Sequence, residues 1–345
     1  MQIVMKGVRI GMSLINPFRL LILIGMMSSA PVPGLVYAWG AAGHQTVGAI
    51  ADQLLAGSHA EQQVRKLLHT GETLEKVSIW ADCAKGYCHA PLSEEMQTFV
   101  KENPHRHEYH YTDIPFQKME YETGAIGTDR NDVVQILRQC INVLRGEDTP
   151  PTNPHHFTPR IALLLLAHFV GDVHQPLHVG NAYVNKDDHM TVSRSQKQLD
   201  SQEIHSTRGG NYLLMNKSQS LHGWWDTAVV ERVMHHAHAT TPQELATDLL
   251  QAYPDDETGS AYVTDWPIRW AHDALRYAKS AHAHLEVGPR AAAQDTKTRA
   301  QHFVWSLTVP ATYGEDMKII GERALVRAAV ILQEPTDGGG HNYGL

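Results

Sequence analysis

The chain has 345 residues, 42% hydrophobic and 19% charged, which is enough to bury a full core and unlike a disordered or fibrous composition. Its formal net charge is −8, so a binder held to nucleic acid by a basic surface is excluded unless bound cations invert the local field. Three cysteines are too few for a disulfide scaffold, and the sequence holds no internal repeat and no glycine-rich phosphate loop.

In chain order, the first 38 residues carry Lys6, Arg9 and Arg19 and the run LLILIGMMSSA, an apolar stretch too short to span a bilayer comfortably. Val36 and Ala38 offer small residues at both positions that a signal peptidase reads, so cleavage after Ala38 is expected; uncleaved, the same run would be a membrane anchor. Cleavage leaves one domain over 39–334 with a flexible tail over 335–345, and losing the three leader bases takes the charge from −8 to −11.

Residues 43–69 have the apolar spacing of two short helices joined at Gly57-Ser58, and residues 73–82 read as a helix ending in a turn. The alternating, tyrosine-rich stretch 105–116 reads as a short extended segment or loop. A helix is expected over 128–144 with Thr128 or Asp129 as its cap. Pro159 then opens a strongly apolar helix that Pro176 stops; with His168 and Asp172 inside, it suits the centre of a bundle and not a membrane span. Residues 185–208 are polar and aperiodic, a surface insertion or lid, and helical spacing returns over 219–237, 266–284 and 314–333. The expected fold class is therefore all-α, a single-domain helical bundle with long loops. Cys83 and Cys88 are close enough to close a small disulfide loop, although nothing in the sequence excludes Cys140 as a partner.

His168 and Asp172 stand four residues apart on one helix and face the same way, as do His222 and Asp226. A lone histidine on an apolar helix is ordinarily a core residue, but two His/Asp pairs beside His178, just past the break at Pro176, read as metal ligands. His174 points elsewhere on its helix. Asp82 and His110 complete the set by chemistry and not by spacing, with His105 and His107 competing for the place of His110. Cleavage after Ala38 would free the amine of Trp39 five residues before His44, and a neutral α-amine, with an unperturbed pKa of ~8, can ligate zinc.

Trp39-Gly40 with His44, the WAD of 80–82, His110 followed by an aromatic, the block HFVGDVHQPLH of 168–178, Gly209-Gly210-Asn211 and the HGWWD of 222–226 occur in one order. Together they resemble the zinc-dependent nuclease family of fungal single-strand nucleases, plant bifunctional nucleases and 3′-nucleotidases, which shares its helical fold with phospholipase C. The resemblance implies three zinc ions: one on Asp82, His110, His168 and Asp172, one on His178, His222 and Asp226, and one on the Trp39 amine and carbonyl, His44 and the shared Asp172. It implies a secreted or periplasmic monomeric endonuclease that hydrolyses single-stranded DNA and RNA to 5′-phosphorylated products, acts on nucleoside 3′-monophosphates, and serves nucleic-acid catabolism. Asp82 and Asp172 would serve catalysis, Tyr111 would stack on a base, Asp113 would read its edge, and Asn211 would join the substrate contacts. Lys85 stands where the family commonly has arginine, which weakens a bidentate grip on phosphate.

Two other readings compete. A zinc phospholipase C predicts a longer gap between the terminal Trp and the first His, and Glu in the last pair. A non-enzymatic His-rich metal-binding protein would scatter histidines, as at His235-His236-Ala237-His238 and at His282 and His284, without giving them buried carboxylate partners. No recognition helix or zinc finger appears, so neither sequence-specific DNA binding nor membrane association after cleavage is expected.

Overall fold

Trp39 and Gly40 adopt left-handed backbone, φ 46° and 38°, and lead into α1 (Gly40–Leu55). Ser58 accepts a hydrogen bond from the Glu61 amide to start α2 (His59–Leu67), so the break falls at Gly57-Ser58 as the spacing predicts. The computed structural model describes residues 39–88, 90–193, 195–253, 265–295 and 299–330; the leader with its cleavage point and the 335–345 tail lie outside them.

Residues 73–82 are not one helix. Thr73 caps α3 (Leu74–Val77), and α4 (Trp80–Ala84) follows after Ser78-Ile79, which places Asp82 within a helical turn. The break has a local cause: the Ser78 carbonyl, which a continuous helix would use internally, accepts from His168 Nδ1 at 2.6 Å. After α5 (Glu94–Glu102), the 105–116 stretch holds a 3₁₀ turn over Glu108–His110 and β1 (Ile114–Pro115).

The helix expected from 128 begins later, as α6 (Val133–Leu144). Asp132 is its cap, accepting from the Gln135 amide and also from the Tyr121 hydroxyl. Thr128 and Asp129 serve the preceding turns, where they accept from the Gly124 and Asn131 amides. In α7 (Pro159–His174) the Thr158 hydroxyl accepts from the Ile161 amide, proline fills a position that needs no N–H, and Gln175 leaves the helical region ahead of Pro176. Every residue of α7 from Ile161 to His174 is buried.

The 185–208 segment is more ordered than an aperiodic lid. It follows β2 (Gly180–Asn181), which runs parallel to β1, and contains the end of β3 (Tyr183–Asn185), then β4 (Met190–Thr191), α8 (Gln196–Asp200) and β5 (Ile204–Ser206), paired in the order β4-β3-β5. Strands of two or three residues are too short to display alternation. Next come β6 (Leu213–Leu214), α9 (Leu221–Gly223), a π turn over Trp224–Val229, and α10 (Val230–His236). The chain closes with α11 (Pro242–Ala252), α12 (Trp266–Ala281), β7 (Glu286–Gln294), β8 (Gln301–Thr308) and α13 (Tyr313–Val330).

Helix α5, helix α11 and the β7–β8 hairpin have no counterpart in the expected fold. The helix α11 carries a capping box between Thr241 and Glu244, a signal present in the sequence, whereas the hairpin of β7 and β8 is mostly exposed and lacks an apolar period. The architecture is nonetheless mostly helical: α7 packs against α1, α6, α12 and α13, with small sheets at its margins. Among the described residues, no helix is long and apolar enough to cross a membrane. Cys83 and Cys88 form a disulfide at the end of α4, while Cys140 is free and buried in α6.

Gly48 sets the approach of α1 to α3, because a Cβ built there would lie 2.5 Å from the Leu74 carbonyl oxygen and 2.6 Å from the Glu75 Cα. Both are backbone atoms that cannot swing aside, so Gly48→Ala is expected to destabilise the fold by about 1–3 kcal/mol. Denaturant titration of the variant measures this, and an unchanged midpoint would contradict the close approach.

Candidate metal centre

Five imidazoles and three carboxylates converge at the C-terminal part of α7. His168 and Asp172 come from α7 itself, His178 from the 3₁₀ turn after Pro176, His44 from α1, Asp82 from α4, His110 from the Glu108–His110 turn, and His222 and Asp226 from α9 and the π turn. All eight are buried, and Asp172 is completely so. The Asp172 carboxylate touches four rings: His110 Nδ1 at 2.9 Å and His168 Nε2 at 3.2 Å on one oxygen, His44 Nε2 at 3.4 Å and His178 Nδ1 at 3.5 Å on the other. His222 Nε2 lies 3.3 Å from Asp226, the second pair that the i,i+4 spacing predicts. A π turn at Asp226 widens the helix at this point, a distortion often found at functional sites.

Three rings are oriented by backbone carbonyls, which can only accept. Nδ1 of His168 donates to Ser78, that of His178 to His110 at 2.7 Å, and that of His222 to Gly209 at 2.9 Å. Each Nε2 lone pair is then left for the cluster, the arrangement by which proteins fix a metal-binding imidazole. Gly209 can serve because it adopts a left-handed φ of 59°; a Cβ there would meet the Leu177 carbonyl oxygen at 2.4 Å. Its amide donates to the Asn181 side chain, which holds the turn in place.

Several of the donor atoms lack hydrogen-bond partners within the protein. His178 Nε2, Asp82 Oδ2, Asp172 Oδ1, Asp226 Oδ2 and both nitrogens of His44 are buried without a hydrogen bond. Leaving such atoms unpaired is costly, and a borderline cation that accepts nitrogen and oxygen removes that cost. Three ligand groups satisfy the distances required of a metal site: His44, His168 and Asp172; Asp82, His110 and His168; and His178, His222 and Asp226. The donor set thus fits zinc or a similar dication.

Charge within the cluster is unevenly shared. Burial alone would raise Asp172, yet the surrounding histidines hold it well below the usual carboxylate range; Asp82 is likewise held low against burial, by His168 and then Lys85. Burial lifts Asp226 well above that range. His110 and His222 are driven down to about 3 by burial, and His44 and His178 are also lowered by it. His168 rises despite burial because Asp172 and Asp82 face it.

The other candidate residues have the following surroundings. The Trp39 amide nitrogen lies 3.3 Å from Asp226 Oδ1, its indole N–H donates to the Gly171 carbonyl at 2.8 Å, and the side chain is fully buried. Lys85 Nζ lies 3.4 Å from Asp82 Oδ1. Tyr111, 40% exposed, and Asp113 line a cavity of about 1250 Å³, and burial raises the Asp113 carboxyl to about 6. Asn211 sits in the turn after Gly210 and donates to the Arg208 carbonyl. His174 stays outside the cluster and donates to the Val170 carbonyl, while His105 is exposed beside Glu108. One residue escaped the sequence reading: Gln175 Nε2 donates to Asp226 Oδ1 at 2.7 Å. Its place inside the HFVGDVHQPLH block was the only available signal.

The profile of the S1/P1 nuclease family matches residues 39–332. Among curated proteins, Endonuclease 2 of Arabidopsis thaliana is 25% identical over 219 residues, which are 61% of this chain and 62% of the relative. Endonuclease 5 of the same plant is 24% identical over 327 residues, 87% of this chain and 86% of the relative. Nuclease S1 of Aspergillus oryzae is 28% identical over 151 residues, covering 43% and 46%. The chain therefore spans less than two thirds of the length of Endonuclease 2.

In metal-free protein Asp226, raised by burial, and His168, raised by its carboxylate neighbours despite burial, bind protons more tightly than free side chains do, so an arriving cation competes with protons there. Zinc titrated calorimetrically into chelator-stripped protein is expected to release protons, giving heats that scale with the ionisation enthalpy of the buffer. Heats independent of the buffer would contradict this competition.

Proposed function

The chain belongs to the S1/P1 nuclease family, and from that premise we propose that it is a zinc-dependent phosphodiesterase that cuts single-stranded DNA and RNA to 5′-phosphorylated products. Nucleoside 3′-monophosphates are a second substrate class. The observation that carries this reading is the buried Asp172 carboxylate in contact with four imidazoles, beside the second pair of His222 and Asp226. Asp82, His110, His168 and Asp172 hold one zinc ion, His178, His222 and Asp226 a second, and the Trp39 amine and carbonyl with His44 and Asp172 a third.

When bound, the zinc ions supply Lewis acidity toward phosphate oxygens and make water nucleophilic near neutral pH. The protein's own residues do the rest. Asp82 keeps one oxygen, Oδ2, free of hydrogen bonds and can orient a water for attack. Lys85, held at Asp82 Oδ1, offers a positive charge to a phosphate oxygen, as a point charge and not as a fork. Tyr111 presents an exposed ring for stacking, and Asp113 beside it accepts from a base edge. An edge already paired in a duplex is not free for this, which favours single strands. Gln175 holds Asp226 in register through one hydrogen bond.

Export fits the positive and apolar segments of residues 1–38, and removal of the leader at Ala38 would give the Trp39 amine its role as a ligand. The enzyme then works as a monomer outside the cytoplasm, in catabolism of nucleic acid.

Protein starting at Trp39 and loaded with zinc is expected to release 5′-phosphorylated products from heat-denatured DNA, and chelation should abolish release. Asp172→Ala should lower kcat/KM by about a thousandfold, in line with the several kcal/mol that a catalytic metal contributes. Gln175→Ala should lower it by about ten- to a hundredfold, the usual effect of removing a group that orients a ligand. If the fully loaded protein yields no product, the nuclease reading fails and phospholipase or metal-carrier chemistry takes its place.

A further inference from the structure

The cavity beside the metal cluster joins Tyr111 and Asp113 to Arg208, Tyr212, His302 and Phe303. His302 and Phe303 belong to β8, and the hairpin is fixed to this wall by a hydrogen bond from the Trp305 amide to the Tyr212 carbonyl at 2.9 Å. Besides Asp113, four carboxylates among the described residues line it, Glu108, Asp129, Asp132 and Asp295. Arg208 is the one arginine or lysine among the described residues that line the cavity, so a phosphodiester entering it meets attraction there and repulsion elsewhere.

Three further observations single out Arg208. It is a non-glycine residue at φ 53°, a strained conformation that persists only where neighbours enforce it. Here they do: the next residue, Gly209, is tied to Asn181 by its amide and to His222 by its carbonyl, so the position of Arg208 is linked to the metal centre. Second, its guanidinium lies 5.5 Å from the centroid of the Tyr212 ring, which stacks on His302 at 4.3 Å. Aromatic rings support the exposed charge, and among the described residues no carboxylate forms an ion pair with it. Third, it lines the same cavity as Tyr111 and Asp113.

We propose that Arg208 binds the phosphodiester adjoining the nucleotide whose base stacks on Tyr111, with Tyr212 and His302 walling a subsite for the next nucleotide of a single strand. The proposal rests on the nuclease reading, and it names the preferred substrate as an oligonucleotide and not a mononucleotide. A guanidinium can grip two phosphate oxygens at once, which Lys85 on the metal side cannot.

The test uses a fluorescent phosphorothioate-linked tetrathymidylate, which resists hydrolysis, and follows its anisotropy on zinc-loaded protein starting at Trp39. Arg208→Asn and Arg208→Gly remove the charge while tolerating the left-handed backbone. Both are expected to raise Kd for the tetranucleotide by about tenfold, the loss of one charge-assisted contact, and Arg208→Lys should recover part of it. Displacement by thymidine 5′-monophosphate should be affected less than tetranucleotide binding. An unchanged tetranucleotide Kd in both charge-removing variants overturns the proposal, as does an equal loss for mononucleotide and tetranucleotide, which would put Arg208 in the first base site. Cleavage of heat-denatured DNA by the same wild-type preparation reports on the nuclease reading separately: Arg208-dependent binding without cleavage sinks that reading alone, and cleavage with Arg208-independent binding sinks only the subsite.

Discussion

Asp172 is a fully buried carboxylate on the central helix, and four histidines from four different parts of the chain approach it within 3.5 Å. A carboxylate in that position is tolerable only if positive charge surrounds it, and the imidazoles are tolerable only if something accepts or replaces their protons. Much of the local architecture answers this constraint. The break between α3 and α4 frees the Ser78 carbonyl for His168, the stop at Pro176 returns His178 to the same space, and the left-handed Gly209 offers its carbonyl to His222. These backbone contacts occupy Nδ1 of each ring and leave its Nε2 for the cluster.

The same constraint explains how an acidic chain can serve a polyanionic substrate. Formal charge is −8 for the whole sequence, but three of its carboxylates lie within the cluster, where dications would overcompensate them. Attraction for phosphate is then local. Lys85 stands 3.4 Å from Asp82 of the cluster, and Arg208 lines the cavity of Tyr111 and Asp113, where the residue after it, Gly209, accepts from His222. Affinity built this way depends on stacking and on a few charges, which suits a sequence-tolerant enzyme.

Much of the site was legible in the sequence because local spacing constrains it. The i,i+4 pairs on helices, His168 with Asp172 and His222 with Asp226, do meet in space, and His174 is indeed turned away. His110, Asp82 and His44 converge through tertiary packing, which no local period encodes; the family resemblance supplied them. Gln175 and the carbonyls of Ser78 and Gly209 went unread because a neutral amide or a backbone oxygen leaves little mark in a sequence. The mostly helical class followed from periodicity, but the cap of α6 was misplaced by three or four residues because Asp132, in place of the equally suitable Thr128 or Asp129, is the one that also meets Tyr121. The strands between 183 and 206 are too short to show alternation, and the β7–β8 hairpin buries too few positions to carry an apolar period, so their own residues leave little signal.

The central claim is that Asp172 is the shared carboxylate of a multinuclear centre. Metal content of protein starting at Trp39, measured by elemental analysis after zinc loading and removal of free ion, tests it most directly. Three zinc ions per chain are expected, one for each of the three proposed ligand sets, and more than one should be lost from Asp172→Asn, because two of those sets share Asp172. One zinc or none in the wild-type protein, or a variant that keeps all three, would contradict it.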